Sequence, residues 1–153
     1  MRAGEAADVP VVLAGSGPLA DELQAQARAA RVPVTVIPRP SDALLYTLYQ
    51  RSLAYVFPAV EDFGIMPVEA MAAGARVLVS DVGGATESVV DGVTGVHVHD
   101  WEGADLGDAV ARAAALDPAD SVRRSADFDA SVFERRIGSW VRHDGSRLDE
   151  AAA

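Results

Sequence analysis

From Val9 onward the chain alternates short apolar runs with amphipathic stretches. Val9-Pro-Val-Val-Leu-Ala14 is apolar, rich in β-branched residues and closed by Gly15-Ser-Gly17-Pro18, the pattern of a buried strand ending in a tight turn. Over residues 19–31, Leu19, Leu23, Ala27 and Ala30 recur at helical spacing opposite Asp21, Glu22, Gln26 and Arg28, and Pro33 ends the pattern. A strand then a helix are predicted, and the alternation repeats. Residues 34–37 read as a strand, a helix runs from the cap Ser41 through Leu44, Leu45 and Leu48, and residues 53–57 read as the third strand. After an aperiodic loop over 58–66, Pro67 suits the first position of a helix reaching Ala73, and Gly74 suits its left-handed end. Val77-Leu-Val79, a short helix over 86–90, the turn Asp91-Gly92 and a strand over 96–98 complete the series.

Strands that alternate with helices and read as continuous apolar runs predict a parallel sheet covered on both faces, a doubly wound, Rossmann-like α/β fold. Beyond Asp100 the pattern turns helical, over 104–116 and 131–142, broken at Asp117-Pro118. No linker composition interrupts residues 1–143, so they are expected to form one domain, with 144–153 as a flexible tail.

Composition narrows the chemistry. Half of the 153 residues are hydrophobic, enough for a proper core. The formal charge of −10 argues against a broad nucleic-acid surface. All 13 basic residues are Arg, and no Lys or Cys occurs, so amine nucleophiles, thiolates and Cys-ligated zinc are excluded. No apolar run reaches membrane-span length and the first nine residues lack signal-peptide character, from which a cytoplasmic location is expected.

Ligands of open α/β sheets bind beyond the carboxyl ends of the strands, which directs attention to the loops after Ala14, Phe57 and Val79. Gly15-Ser-Gly17-Pro-Leu-Ala20 fits a dinucleotide fingerprint ending in Ala; it equally fits a plain strand-to-helix turn, because Arg39 stands where a ribose-binding acid belongs. The loop Glu61-Asp-Phe63-Gly64-Ile65-Met-Pro-Val-Glu69 holds more. Gly64 lets backbone pass close to a ligand, the helix start offers free N–H groups to an anion, and Glu61 and Glu69 could each accept paired hydroxyl hydrogen bonds. The alternative leaves Glu69 as a complement to the helix dipole in its first turn and Glu61 as a solvated charge. Gly83-Gly84 before Glu87 makes a second glycine turn into a helix, so two helix starts could converge on one anion, or the pair could serve turn geometry alone. Asp127-Phe-Asp129 and His97-Val-His99 have metal-like spacing but read better as a helix cap and strand-end surface residues, so no metal is assigned, and Trp101 and Trp140 read as packing residues.

The stretch 58–95 resembles the donor-binding half of the retaining GT-B glycosyltransferases, glycosyl transferases group 1 (family 4). The pattern is a Glu, a Phe-Gly, Glu-Ala-Met-Ala-x-Gly, a strand and Gly-Gly-x-x-Glu, here Glu61, Phe63-Gly64, Glu69 to Gly74, and Gly83-Gly84 with Glu87. Gly15 to Pro18 and Asp91 to Gly95 extend the resemblance over nearly the whole chain. It implies that Glu61 is the carboxylate of the catalytic centre, touching donor hexose hydroxyls, and that Glu69 holds the nucleotide ribose. Phe63, Gly64, Ile65 and Gly84 would line sugar and diphosphate, Gly15 and Gly17 the phosphates, and Arg39 the base. The family transfers a hexose from a nucleotide diphosphate sugar, with retention and without bound metal or cofactor. The run Pro58 to Ala70 is similar to members using a guanine-linked mannose donor, and residues 128–137 to their closing helix.

The sequence departs from the family in one respect. The Arg and Lys that stabilise the leaving diphosphate belong to a strand-helix unit ahead of Val9, and neither that unit nor an acceptor-binding domain occurs here. The expectation is a donor domain that needs a missing domain or partner chain, inactive by itself. A non-catalytic nucleotide-sugar-binding remnant and an NADP-binding Rossmann protein are the alternatives.

Overall fold

The computed structural model describes the backbone of residues 1–150 and side chains as far as Val141. In chain order the elements are α1 (Arg2–Ala7), β1 (Val11–Ala14), α2 (Ala20–Ala29), β2 (Val34–Ile37), α3 (Asp42–Arg51), β3 (Tyr55–Phe57), α4 (Ile65–Ala72), β4 (Val77–Ser80), α5 (Ala85–Ser88), β5 (Gly95–Val98), α6 (Leu106–Ala114), α7 (Pro118–Ser125), a 3-10 turn (Ala126–Phe128) and α8 (Ala130–Glu150). The expected α/β alternation is present, and every strand pair is parallel.

β4 shows why the fold works. Its four residues are all buried, and side chains on a strand alternate between faces, so its apolar run must be covered on both sides. Val77 and Val79 join Tyr49, Phe57, Ala70 and Met71 in a cluster under α3 and α4. Leu78 points the other way, into a cluster with Val96, Val98, Leu106 and Val110 under α1 and α6. A Cβ on Gly107 would lie 2.6 Å from the Ala6 carbonyl, so the glycine permits the close crossing of α1 and α6.

The sheet is in two parts. β3-β4-β5 form one, β1-β2 the other, and no strand pairing joins β1 to β3. The β1-α2-β2 unit contributes no residue to either cluster, and α2 has no buried residue.

Several local expectations are corrected. α4 starts at Ile65, two residues before Pro67, with left-handed Gly64 as its N-cap. Pro67 fits at the third position because the first-turn amides have no helical acceptor to lose. Glu69 therefore stands beyond the first turn, and its proposed dipole role falls away. α1 and α7 carry too few periodic apolar residues to announce themselves, yet both form. α8 spans Ala130–Glu150, and residues 151–153 of the expected tail lie outside the described ones.

Candidate functional site at the carboxyl end of β3

The loop from Pro58 to Gly64 is seated on the Gly83-Gly84 turn. The Gly84 N–H donates to the Glu61 carbonyl at 2.7 Å. A Cβ on Gly84 would come within 2.6 Å of the Phe63 Cα, and one on Gly83 within 3.0 Å of the Glu61 oxygen. Only a side chain of hydrogen lets the two backbones meet. Gly83 adopts φ 90 and Gly64 φ 83, left-handed values that favour glycine. So held, Glu61 is exposed, Phe63 is 46% exposed and Ile65 62% exposed.

Two carboxylates border this loop. Gly64, itself buried, supplies no side-chain cap to α4, so the positive end of the helix carries none. Glu69, half-buried one turn in, lines a groove of about 670 Å³ with Phe63, Ile65 and Val68, opposite Phe128 and Phe133. Beneath lies Tyr55, whose hydroxyl reaches Met66 Sδ at 3.8 Å. Burial raises its pKa first, then Tyr49, and then the negative charges of Glu61 and Glu69, so both carboxylates bear on one phenol. Burial and Glu69 likewise raise Tyr49, whose hydroxyl, among the described residues, is buried without a hydrogen-bond partner. Sequence reasoning missed both tyrosines; for Tyr55 the available signal was a polar-tipped aromatic opening an apolar strand, while Tyr49 stands within α3.

The structure thus brings together Glu61, Phe63, Gly64, Ile65, Glu69 and Gly84. The expected convergence of two helix starts is corrected: α5 is a four-residue turn, and the Gly84 amide is engaged by Glu61. Gly15 (φ 143), Gly17 and Arg39 (φ 50) are exposed and follow β1 and β2, and among the described residues no hydrogen bond joins them to the 61–69 loop. Asp129 caps α8 by accepting from the Ser131 N–H at 2.8 Å, and Asp127 pairs with Arg124. The His99 Nδ1 lies 2.6 Å from Asp81, and the His97 ring reaches the Val89 carbonyl at 3.0 Å. Trp101 is partly buried against the α6 cluster, and Trp140 is 69% exposed. Among the described residues, no helix is long and apolar enough to cross a membrane.

Residues 2–126 match the family described as glycosyl transferases group 1. The chain belongs to that family. This group 1 glycosyltransferase domain is 38% identical over 106 residues to the D-inositol 3-phosphate glycosyltransferase of Nocardia farcinica, covering 69% of the chain and 22% of the relative. It is 36% identical over 118 residues to the glycogen synthase of Mycobacterium tuberculosis, covering 75% and 28%. It therefore spans about a quarter of the length of the curated relatives it matches. Among solved structures, Anabaena Alr3699/HepE in complex with UDP-glucose matches with a TM-score of 0.72 at 22% identity, over 92% of this chain and 44% of that one. AviGT4, a glycosyltransferase involved in avilamycin A biosynthesis, matches at 0.72 and 18% identity, over 92% and 45%. These likenesses establish the fold as that of a GT-B Rossmann-like domain.

Proposed function

We propose that this group 1 domain binds the donor of a hexosyltransferase, a nucleotide diphosphate sugar, and that an acceptor-binding domain completes the enzyme. The observation that carries the reading is the seating of the Glu61–Gly64 loop on Gly83-Gly84, which sets one carboxylate before an uncapped helix start and another one turn behind it. In this reading the diphosphate lies at the first amides of α4, where the helix field favours negative charge. Glu69 accepts hydrogen bonds from the ribose hydroxyls, and Glu61 from those of the hexose undergoing transfer. Phe63 and Ile65 flank the sugar, Gly15 and Gly17 border the phosphates, and Arg39 borders the base. The reaction proceeds with retention and uses no metal or cofactor; positive charge from outside these residues stabilises the leaving diphosphate. The similarity of the run Pro58 to Ala70 to family members using a guanine-linked mannose donor supports that donor.

Calorimetric titration with GDP-mannose, UDP-glucose and NADPH tests the reading. Wild-type protein should bind a nucleotide sugar, GDP-mannose most tightly. Glu69→Ala should weaken it about tenfold, the scale of lost charge-assisted hydrogen bonds, and a deoxyribose donor should not feel the substitution. No binding of any nucleotide sugar would sink the donor reading, and tighter binding of UDP-glucose would sink only the mannose assignment. The alternative reading is a donor-binding module without catalysis. Sugar transfer on adding an acceptor-binding domain from a relative would reject it.

A further inference from the structure

We propose that Arg124 is a positioning residue for the donor loop, holding both of its supports with one guanidinium; the effect on donor affinity rests on the donor-binding reading above. Its Nη2 donates to the Glu87 carbonyl at 2.6 Å and its Nε to the Ser88 carbonyl at 3.0 Å. These oxygens sit at the end of α5, where a helix leaves carbonyls without partners. The other end of the same short helix carries Gly84, whose N–H holds Glu61. On its remaining side Arg124 donates from Nη1 to Asp127 at 2.9 Å and lies 4.9 Å from the Phe128 ring centroid. Phe128 in turn meets Phe63 edge-on, with ring centroids 5.8 Å apart. The guanidinium therefore touches the turn under the loop and the aromatic ring beside it.

The geometry asks for arginine. Two adjacent carbonyls, a carboxylate and an aromatic ring are met by a planar fork, and a lysine ammonium, a point donor, cannot span them. Arg124 also stands on a fixed base. The buried Ser121 hydroxyl donates to the Thr94 carbonyl at 3.2 Å, and Asp117 caps the start of α7. Any slackening at Arg124 should then appear in the loop, since the helix is tied independently at Ser121.

Hydrogen exchange at the Gly84 amide reads loop seating directly, with the amides of β4 as an internal reference. In Arg124→Gln, Gly84 should exchange about tenfold faster while β4 keeps its protection, the signature of a local opening. Phe128→Leu, which leaves the carbonyl contacts in place, should produce a smaller change of the same kind and secures the test if Arg124→Gln does not fold. Arg124→Lys should recover part of the protection. Titration with GDP-mannose and UDP-glucose should show affinity falling in the same order. If Gly84 exchange is unchanged, or rises only in step with β4, Arg124 merely stabilises the fold and the proposal is overturned, whatever the wild type binds. If Gly84 loosens selectively but wild type binds no nucleotide sugar, the positioning stands and the donor reading fails.

Discussion

At Gly84 the absence of one carbon sets the position of the candidate donor loop. The residue has an ordinary helical φ of −64, so its glycine is required by collision and not by backbone strain. Gly84→Ala should cost about 1–3 kcal/mol, the range for overpacking a tight contact, and should push the loop away from the turn. Gly17→Ala, where a Cβ would meet nothing within 4 Å, should change stability by less than about 0.5 kcal/mol. Urea denaturation of the two variants checks the contrast; equal effects would show that the approach of the backbones does not constrain the loop. The sequence displays the Gly83-Gly84 pair as a turn, and it places Glu61 and Glu69 near one helix start. It does not display Arg124 as a neighbour of the site, because Arg124 reaches the turn under the loop from an element 36 residues further along the chain. Tyr55 and Tyr49 are near the loop in sequence, but their relation to its carboxylates follows from how β3, α3 and α4 pack.

At the scale of elements, periodicity succeeded where a face is buried and failed where an element is held by its ends. β4 and α6 bury apolar residues in patterns the sequence shows plainly. α7 buries only Ser121 and exposes Val122, so no apolar stripe reveals it. It is held by the Asp117 side chain, which accepts from the Ala119 N–H at 2.9 Å, by Pro118 at its start, and by Arg123 and Arg124 in its last turn. Asp117→Ala should destabilise the protein by about 1 kcal/mol, the usual worth of an N-cap, measured as a lower urea midpoint with unchanged slope. No change would mean that packing of α7 against α4 suffices without the cap. The start of α4 was misplaced for a related reason: Pro67 signals a first turn without saying which of its positions it occupies.

Over the whole molecule, stability is unevenly distributed. Both core clusters surround β3-β4-β5, whereas β1-α2-β2 joins neither, and Val12 of β1 is 46% exposed. Native-state hydrogen exchange should therefore show the β1 and β2 amides opening about tenfold or more faster than those of β4, as expected for a unit with few buried apolar contacts. Uniform protection across both sheet parts would contradict this division. The sequence by itself determined the α/β class, the parallel strands and the loop that carries Glu61 and Glu69, since these follow from local periodicity, turn chemistry and motif spacing. Only the tertiary structure decided that the sheet divides between β1 and β3, that the Gly84 amide serves the loop, and that α7 braces it through Arg124. Strand neighbours, close backbone approaches and long-range side-chain contacts depend on which surfaces meet in space, and spacing along the chain does not encode that.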